Sequence, residues 1–408
     1  MLKPASTLLI VSAGLEAVAG IKLAKSMGLH VVVSDMNPSA PGFAIADDHL
    51  LANTYDVEAT VAAARAYHKQ VRPLDGVMCI ASDVPLTVAR VAAELGLSGI
   101  STESAVLAMD KLAMKERFAT DDVLIPWFSH VESVAHLREL VSINGLPLVI
   151  KPVDSRGARG VLRLTADVDL DWAFEVSRCQ SPTGRVMLEK FMFGPQVSTE
   201  SLMIDGVAYT PGFADRNYEY LERYAPHIIE NGGQLPSHLN LETRQKVRDL
   251  VQRAAASMGI HNGVVKGDIV VTDGQPCVIE LAARLSGGYF CTHEIPLNTG
   301  VDLVGAAIRQ ALGERVDPEE LIPKWSRPVA QRYFFPPSGI VKAVKGVDQF
   351  ADHPNVALLE IRAKAGDQIG PVDSHPARAG VVITTGETVE LATSLAEDVI
   401  NRIQIVVE

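Results

Sequence analysis

Cysteine is scarce. The 408 residues contain four, Cys79, Cys179, Cys277 and Cys291, far apart and in no CxxC spacing. That excludes a disulfide framework and a thiolate zinc site, and points to a reducing compartment. The eleven histidines are scattered, with no spacing such as HExxH. Positive charge is in deficit, 37 Lys and Arg against 49 Asp and Glu, for a net charge of −12. This speaks against a nucleic-acid or anionic-membrane surface. Long apolar runs are missing too: "TLLIVSAGLEAVAGI" is short and interrupted by Glu16, well below a membrane span. The N-terminus lacks the order of a signal peptide. The expectation is a cytoplasmic chain of two or three domains, with neither nucleic acid nor membrane as partner.

What is present begins with alternation. Between residues 7 and 100, strand-like runs ("TLLIVSA", "HVVVSD", "DGVMCIAS") alternate with helix-like ones ("EAVAGIKLAKSMG", "VEATVAAARAYHKQV", "PLTVARVAAELG"). This βαβα order implies a parallel sheet with helices on both faces. Gly14 and Asp35 stand at the distances of a dinucleotide fingerprint, but the turn reads "AGLEAVAG" rather than GxGxxG. The region therefore reads as a scaffold or a wall of a substrate site rather than an NAD site. From Ser101 onward strands and helices mix without strict alternation, which favours α+β. "STESAVLAMDKLAMKERFA" reads as one N-capped helix. "LIPKWSRPVA", with two prolines, reads as a linker, and residues 330–408 as strand-rich with one helix. The predicted fold is an α/β N-terminal domain with a parallel sheet (1–100), an α+β domain (101–325) and a small strand-rich C-terminal domain (326–408).

Several charged residues sit inside apolar runs. "KGDIVVTDGQPCVIELAAR", residues 266–284, reads as a β-hairpin around "TDGQP". With Asp273-Gly274-Gln275 as the loop, Val270 faces Val278 and Asp268 faces Glu280. Two carboxylates about 5 Å apart repel by roughly 3 kcal/mol at an effective dielectric near 20. A cation between them reverses the sign, and Mg²⁺ is commonly held by one or two carboxylates plus substrate phosphates. The plain alternative is two strand-end acids facing water. Lys151, in "LVIKPV", needs a partner if buried. "DSRGARG" follows it, where Gly157 and Gly160 let backbone N–H groups approach an anion, although the loop fails GxxxxGK[ST]. An ordinary surface hairpin is the competing reading. Lys111 reads as a solvated helix lysine. Glu189, in "VMLEKFMFG", is either a strand-end acid or an acceptor for an adenine amino group, with the backbone of Lys190 and Met192 beside it. Arg284 stands four residues beyond Glu280, and guanidinium suits bidentate carboxylate or phosphate recognition. "SGGYFCTHE" reads equally as a roomy glycine-lined floor near Tyr289 and His293 or as packed core.

The order of these pieces resembles the ATP-grasp superfamily. "MDK", "VIKPVDSRGARG", "LEKFMFGPQVS", "KGDIVV" and "VIELAAR" fall where that family has two ATP lysines, a flexible loop, an adenine-edge segment and two metal acids. The resemblance covers nearly the whole chain. "ELAAR" and the tail, "YFFPPSGIVKAVKG" through "GDQIGPVDSHPARAGVVITTG", are similar to the L-amino-acid ligase branch and its C-terminal domain.

The resemblance implies ATP as cofactor with Mg²⁺, Mn²⁺ being possible. Lys111 and Lys151 would hold phosphates, and Ser155 to Gly160, with Gly157, would close over them. Glu189, Lys190 and Met192 would take the adenine, and Gln196 the place of a ribose-binding glutamate. Asp268 and Glu280 would bind metal, and Arg284 would steady an acyl phosphate or a carboxylate. Glu230, in "ENGGQLPS", and Ser286, Gly287 and Gly288 would lie on the substrate side. The implied reaction joins a small-molecule carboxylate to an amine through an acyl phosphate, in a possible homodimer. Departures are Asp268 for the usual Glu, Lys266 for a frequent His, and Ala282 for a metal-binding Asn. Two alternatives are a formate- or bicarbonate-using enzyme of the superfamily and a non-catalytic ATP-binding regulatory module.

Overall fold

The computed structural model describes residues 6–408. The N-terminal alternation folds into a four-stranded parallel sheet, in the order Asp48–Leu51, His30–Asp35, Thr7–Val11, Gly76–Met78. Thr7–Val11 is buried throughout, which is why it reads as a continuous apolar run rather than an alternating one. Its two faces belong to different cores. Leu9 and Val11 pack with Val61, Ala64 and Val91, whereas Leu8 and Ile10 pack with Ile21, Val304 and Ile308. The second of these cores joins the parallel sheet to the rest of the molecule.

The middle of the chain forms two antiparallel layers. A small sheet runs Phe128–Val131, Val186–Lys190, Leu148–Pro152, Leu162–Leu164. It packs on the helices Val134–Asn144 and Leu170–Cys179 through Leu137, Leu148, Ile150 and Phe174. A larger eight-stranded sheet starts with the hairpin Gly263–Thr272 and Gln275–Ala282, continues through Gln196–Ile204, Val207–Arg216 and Gly233–Leu235, and then takes in Val329–Phe334, Gly380–Thr385 and Val356–Ile361. Gly233–Leu235 pairs with Val329–Phe334, so the backbone ladder is continuous across residue 326. The helices Leu241–Ser257 and Val389–Arg402 back this sheet. Among the described residues no helix is long and apolar enough to cross a membrane.

Two local details differ from expectation. The single helix expected after Ser101 is two, Thr102–Met109 and Lys111–Thr120. Asp110 is extended between them, and its carboxylate accepts from the N–H groups of Leu112 and Ala113 at 3.0 Å, the usual N-cap arrangement. In the hairpin the loop is two residues, not three: Thr272 pairs with Gln275, and Asp273 and Gly274 both have positive φ, as a type I′ turn requires. That tighter turn alone would put Asp268 out of step with Glu280. A bulge opposite Asp268–Ile269 absorbs Ile279 and restores the pairing of Asp268 with Glu280.

Candidate active site

A cleft of about 660 Å³ lies between the small sheet, the large sheet and the N-terminal region. Lys111, Lys151, Ser155, Gly157, Glu189, Lys190, Met192, Gln196, Glu230, Asp268, Glu280, Arg284, Ser286, Gly287 and Gly288 all line it. Gly160 does not. It lies at the base of the loop, where its carbonyl accepts from Ser177 Oγ at 2.6 Å and an added Cβ would meet Pro152 and Gln180 at 3.0 Å. With φ at +69°, Gly160 is a backbone turning point.

The helix break at Asp110 explains Lys111. As the first residue of its helix it docks by backbone, its N–H donating to Val153 O at 2.8 Å. Its ammonium donates to Ser155 O at 2.7 Å and lies 3.2 Å from Glu280. The side chain is 13% exposed, so the reading as a solvated surface lysine is wrong. Lys151 and Glu189 are diagonal neighbours on facing strands, since Val149 pairs with Glu189. Lys151 donates to Glu189 Oε1 at 2.6 Å, with both side chains buried.

Sequence reasoning missed Lys115, fully buried one turn beyond Lys111. It donates to Val278 O at 2.9 Å and lies 3.2 Å from Glu189 Oε2. Burial pulls the Lys115 ammonium down to about 8, against the pull of Glu189 upward. Burial pushes the Glu189 carboxyl up, but Lys115 and Lys151 outweigh it and hold it below the usual range. Glu189 thus anchors two lysines. Its Oε2 faces only the Lys115 ammonium at 3.2 Å and retains capacity for one more donor. The N–H of Lys190 is taken by Trp127 O at 2.9 Å.

Asp268 and Glu280 each face an ammonium. Lys266 contacts Asp268 and Lys111 contacts Glu280. Ser198 Oγ also donates to Asp268 Oδ1 at 2.8 Å. Burial raises the Asp268 carboxyl, and Lys266, Arg216 and these hydrogen bonds together hold it below its usual value. Among the described residues no group of three or more His, Cys, Asp or Glu could hold a metal on its own. Two paired carboxylates in a cationic cleft fit a divalent ion that completes its shell with substrate phosphates. Ala282 offers no ligand beyond its backbone.

Arg284 Nε donates to Asp83 Oδ1 at 2.6 Å, which ties it to the N-terminal region. Burial opposes the charge on Arg284, but Asp83 outweighs it and raises the guanidinium further. The loop Ser155–Gly160 is held from two sides. Arg156 stacks 3.7 Å over the Tyr55 ring, and Gly157 O accepts from the His375 N–H at 2.9 Å. Gly287 and Gly288 provide close approach rather than room. A Cβ on Gly287 would lie 2.6 Å from Glu16, and one on Gly288 2.6 Å from the Tyr333 hydroxyl. Tyr289 is packed, its hydroxyl donating to Glu360 at 2.6 Å and its ring edge-on to His293. The stretch divides between its two readings: Ser286, Gly287 and Gly288 line the cleft, while Tyr289, Phe290 and Cys291 are packed core.

Other missed residues are Glu200, Arg216, Arg378 and Asp83. Glu200 lies in "VSTESLM", an acid inside an apolar run, so the reasoning applied to Asp268 would have found it. It accepts from the N–H of Ser286 at 2.7 Å, and burial pushes it up to about 7 despite that bond. Arg378 carries no local signal of its place in the cleft.

Comparison with known proteins identifies two domains in the chain. Residues 108–288 match the family model described as ATP-grasp domain, and residues 332–408 the one described as L-amino acid ligase C-terminal domain 2. The uncharacterized protein y4rH of Sinorhizobium fredii is 24% identical over 94% of this chain and 79% of its own length. A D-alanine–D-alanine ligase of Desulforudis audaxviator is 26% identical over 52% of this chain and 67% of its own. The crystal structure of the L-amino acid ligase from Bacillus licheniformis superposes with a TM-score of 0.83 at 22% identity, covering all of both chains. The chain thus carries an ATP-grasp domain over residues 108–288, followed over residues 332–408 by the C-terminal domain 2 of the L-amino acid ligases.

Proposed function

We propose that the protein activates a small carboxylic acid, of the amino-acid class, with MgATP and joins it to an amine as an amide. The observation that carries this reading is the strand-paired Asp268 and Glu280, set in one cleft with Lys111, Lys151 and Arg284. Mg²⁺, or Mn²⁺ in its place, would be held by Asp268 and Glu280 and would neutralise phosphate charge. Lys151 and Lys111 hold the phosphate chain. Glu189, itself held by Lys115, fixes Lys151 from below, so its ammonium is positioned before the nucleotide arrives, which is the condition for electrostatic stabilisation without reorganisation.

The chemistry balances simply. A carboxylate oxygen attacks the γ-phosphorus, the bond to the β-γ bridging oxygen breaks, and an acyl phosphate and ADP form. The amine then attacks the acyl carbon, gives up a proton, and phosphate leaves. Arg284, fixed by Asp83, supports the charge on the acyl phosphate. The loop Ser155–Gly160, clasped between Tyr55 and His375, excludes water that would hydrolyse it.

The regulatory alternative is disfavoured because both acids and both lysines converge on one cleft. The test is ADP release from MgATP with pools of acids and amines, alone and together. Release that needs both supports the ligase. Release with formate or bicarbonate in place of larger acids supports the other enzyme reading. Tight MgATP binding without release in any pool would overturn catalysis.

A further inference from the structure

Beyond the metal pair, the cleft contains a second group of charges that the reaction above does not use. Arg216, at the end of the strand Val207–Arg216, donates from Nη2 to Glu230 Oε2 at 2.7 Å. Arg378, from the C-terminal region, donates from Nη2 to the same oxygen at 2.6 Å and to Glu230 O at 2.8 Å. Glu230 is fully buried, and the Arg378 side chain is 10% exposed. Two guanidiniums share one carboxylate oxygen, so the group has one positive charge in excess. Arg378 lies flat on the Tyr333 ring at 3.8 Å, and its Nε is buried without a hydrogen-bond acceptor. Both arginines line the cleft. Nearby His375 adds no charge, since burial and these arginines push it well below its usual value.

The position is informative. Asp268 pairs with Ser198, and Ser198 with Ala214. Arg216 follows two residues on, on the same sheet face. Two strand spacings and one pleat repeat separate Arg216 from Asp268 by about 12 Å of backbone. Both side chains line the same cleft.

We propose that Arg216 and Arg378 form an anion seat for a second carboxylate, one that a substrate carries but that is not activated. This rests on the ligase reading. The carboxylate has two possible sources: the amine substrate's own carboxyl group, or the far end of a dicarboxylic acid. Glu230 aligns the two guanidiniums through Oε2, and its Oε1 is left without a hydrogen-bond donor. The seat fixes the substrate's far end and so brings the reacting end to the phosphate.

The test measures ADP release over matched substrate pairs: amino acids against their amides, such as alanine against alaninamide, and dicarboxylates against monocarboxylates, such as succinate against butyrate. Loss of the non-reacting carboxylate should lower kcat/KM about tenfold or more, the size expected for a charge-assisted contact. The pair that shows the loss identifies the source. Arg378→Gln should erase that discrimination with the KM for ATP unchanged, and Arg378→Lys, which keeps the charge over Glu230, should keep part of it. Turnover indifferent to both kinds of pair overturns the seat and leaves the ligase standing. A raised KM for ATP in Arg378→Gln with discrimination intact makes the arginine a phosphate contact and also overturns the seat. No release with any pair overturns the ligase reading and the seat with it.

Discussion

At one end of the cleft, Lys111, Lys151, Glu189, Asp268 and Glu280 come from two antiparallel sheets and one helix start, all between residues 111 and 280. At the other end, Glu16 and Asp83 come from the N-terminal region, Arg216, Glu230 and Arg284 from the middle, and Arg362 and Arg378 from the C-terminal region. The first end relies on lysines and acids set by strand register and one helix start, the second on arginines brought together from distant segments, only Arg216 being placed by a strand. Where strand register sets the charge, a strand pattern betrays it. Where packing between distant segments sets it, nothing local does. The division also matches the chemistry: phosphates need point charges at fixed heights, while carboxylates suit planar guanidinium groups.

The sharpest break should come from Glu189. Removing it by Glu189→Ala leaves Lys151 and Lys115 buried without their counter-charge, and should cost about 3–5 kcal/mol in denaturant unfolding. A loss below about 1 kcal/mol would mean that the lysines do not depend on it. Next in size, Asp268→Asn or Glu280→Gln should lower metal-dependent ADP release about 10²–10³-fold, the range for losing one preorganised electrostatic group. Thermal stability should fall only modestly, since Asp268 gives up its pairing with Lys266 and Glu280 its pairing with Lys111 while the folded chain is kept. Unchanged turnover would remove the metal assignment.

The substrate end offers a pH effect. Glu294 is fully buried near Arg216 and Glu230, with neither oxygen hydrogen-bonded. Burial pushes it up to about 8, well above the usual carboxylate range, against the pull of Arg216. A raised carboxyl contributes stability that is complete below the unfolded value and is lost as pH rises through about 8. Glu294→Gln should therefore raise the melting temperature by several degrees at about pH 9 and leave it unchanged at about pH 5. An equal shift at both pH values would show that titration is not the cause. The smallest effect is expected at the loop. Tyr55→Ala removes the stack under Arg156, worth about 0.5–1 kcal/mol, and should lower kcat/KM about two- to five-fold, with turnover leaking into amine-independent hydrolysis of the acyl phosphate.

Much of the nucleotide end could be read in advance because acids and lysines inside apolar strands demand a reason. Asp268, Glu280, Lys151 and Glu189 all announce themselves in this way. The pairing of Asp268 with Glu280 was expected for a partly wrong reason: the loop is shorter than assumed and a bulge makes up the difference. Local chemistry reveals a turn, but not a bulge set by packing. Lys115 was invisible because a helix lysine one turn from another looks solvated whether or not a sheet covers it. Arg378 was invisible because its partner, Glu230, lies 148 residues away. The parallel N-terminal sheet was legible from alternation, and the continuity of the large sheet across residue 326 was not, because the prolines there read as a linker.

The central claim is that the carboxylate is activated by phosphorylation. It is tested most directly by turning over an acid labelled with ¹⁸O in its carboxyl group, together with MgATP and an amine, and weighing the released phosphate by mass spectrometry. The account predicts one ¹⁸O in each phosphate, carried from the acid when the acyl phosphate is broken. Unlabelled phosphate, or label appearing in AMP, would contradict it.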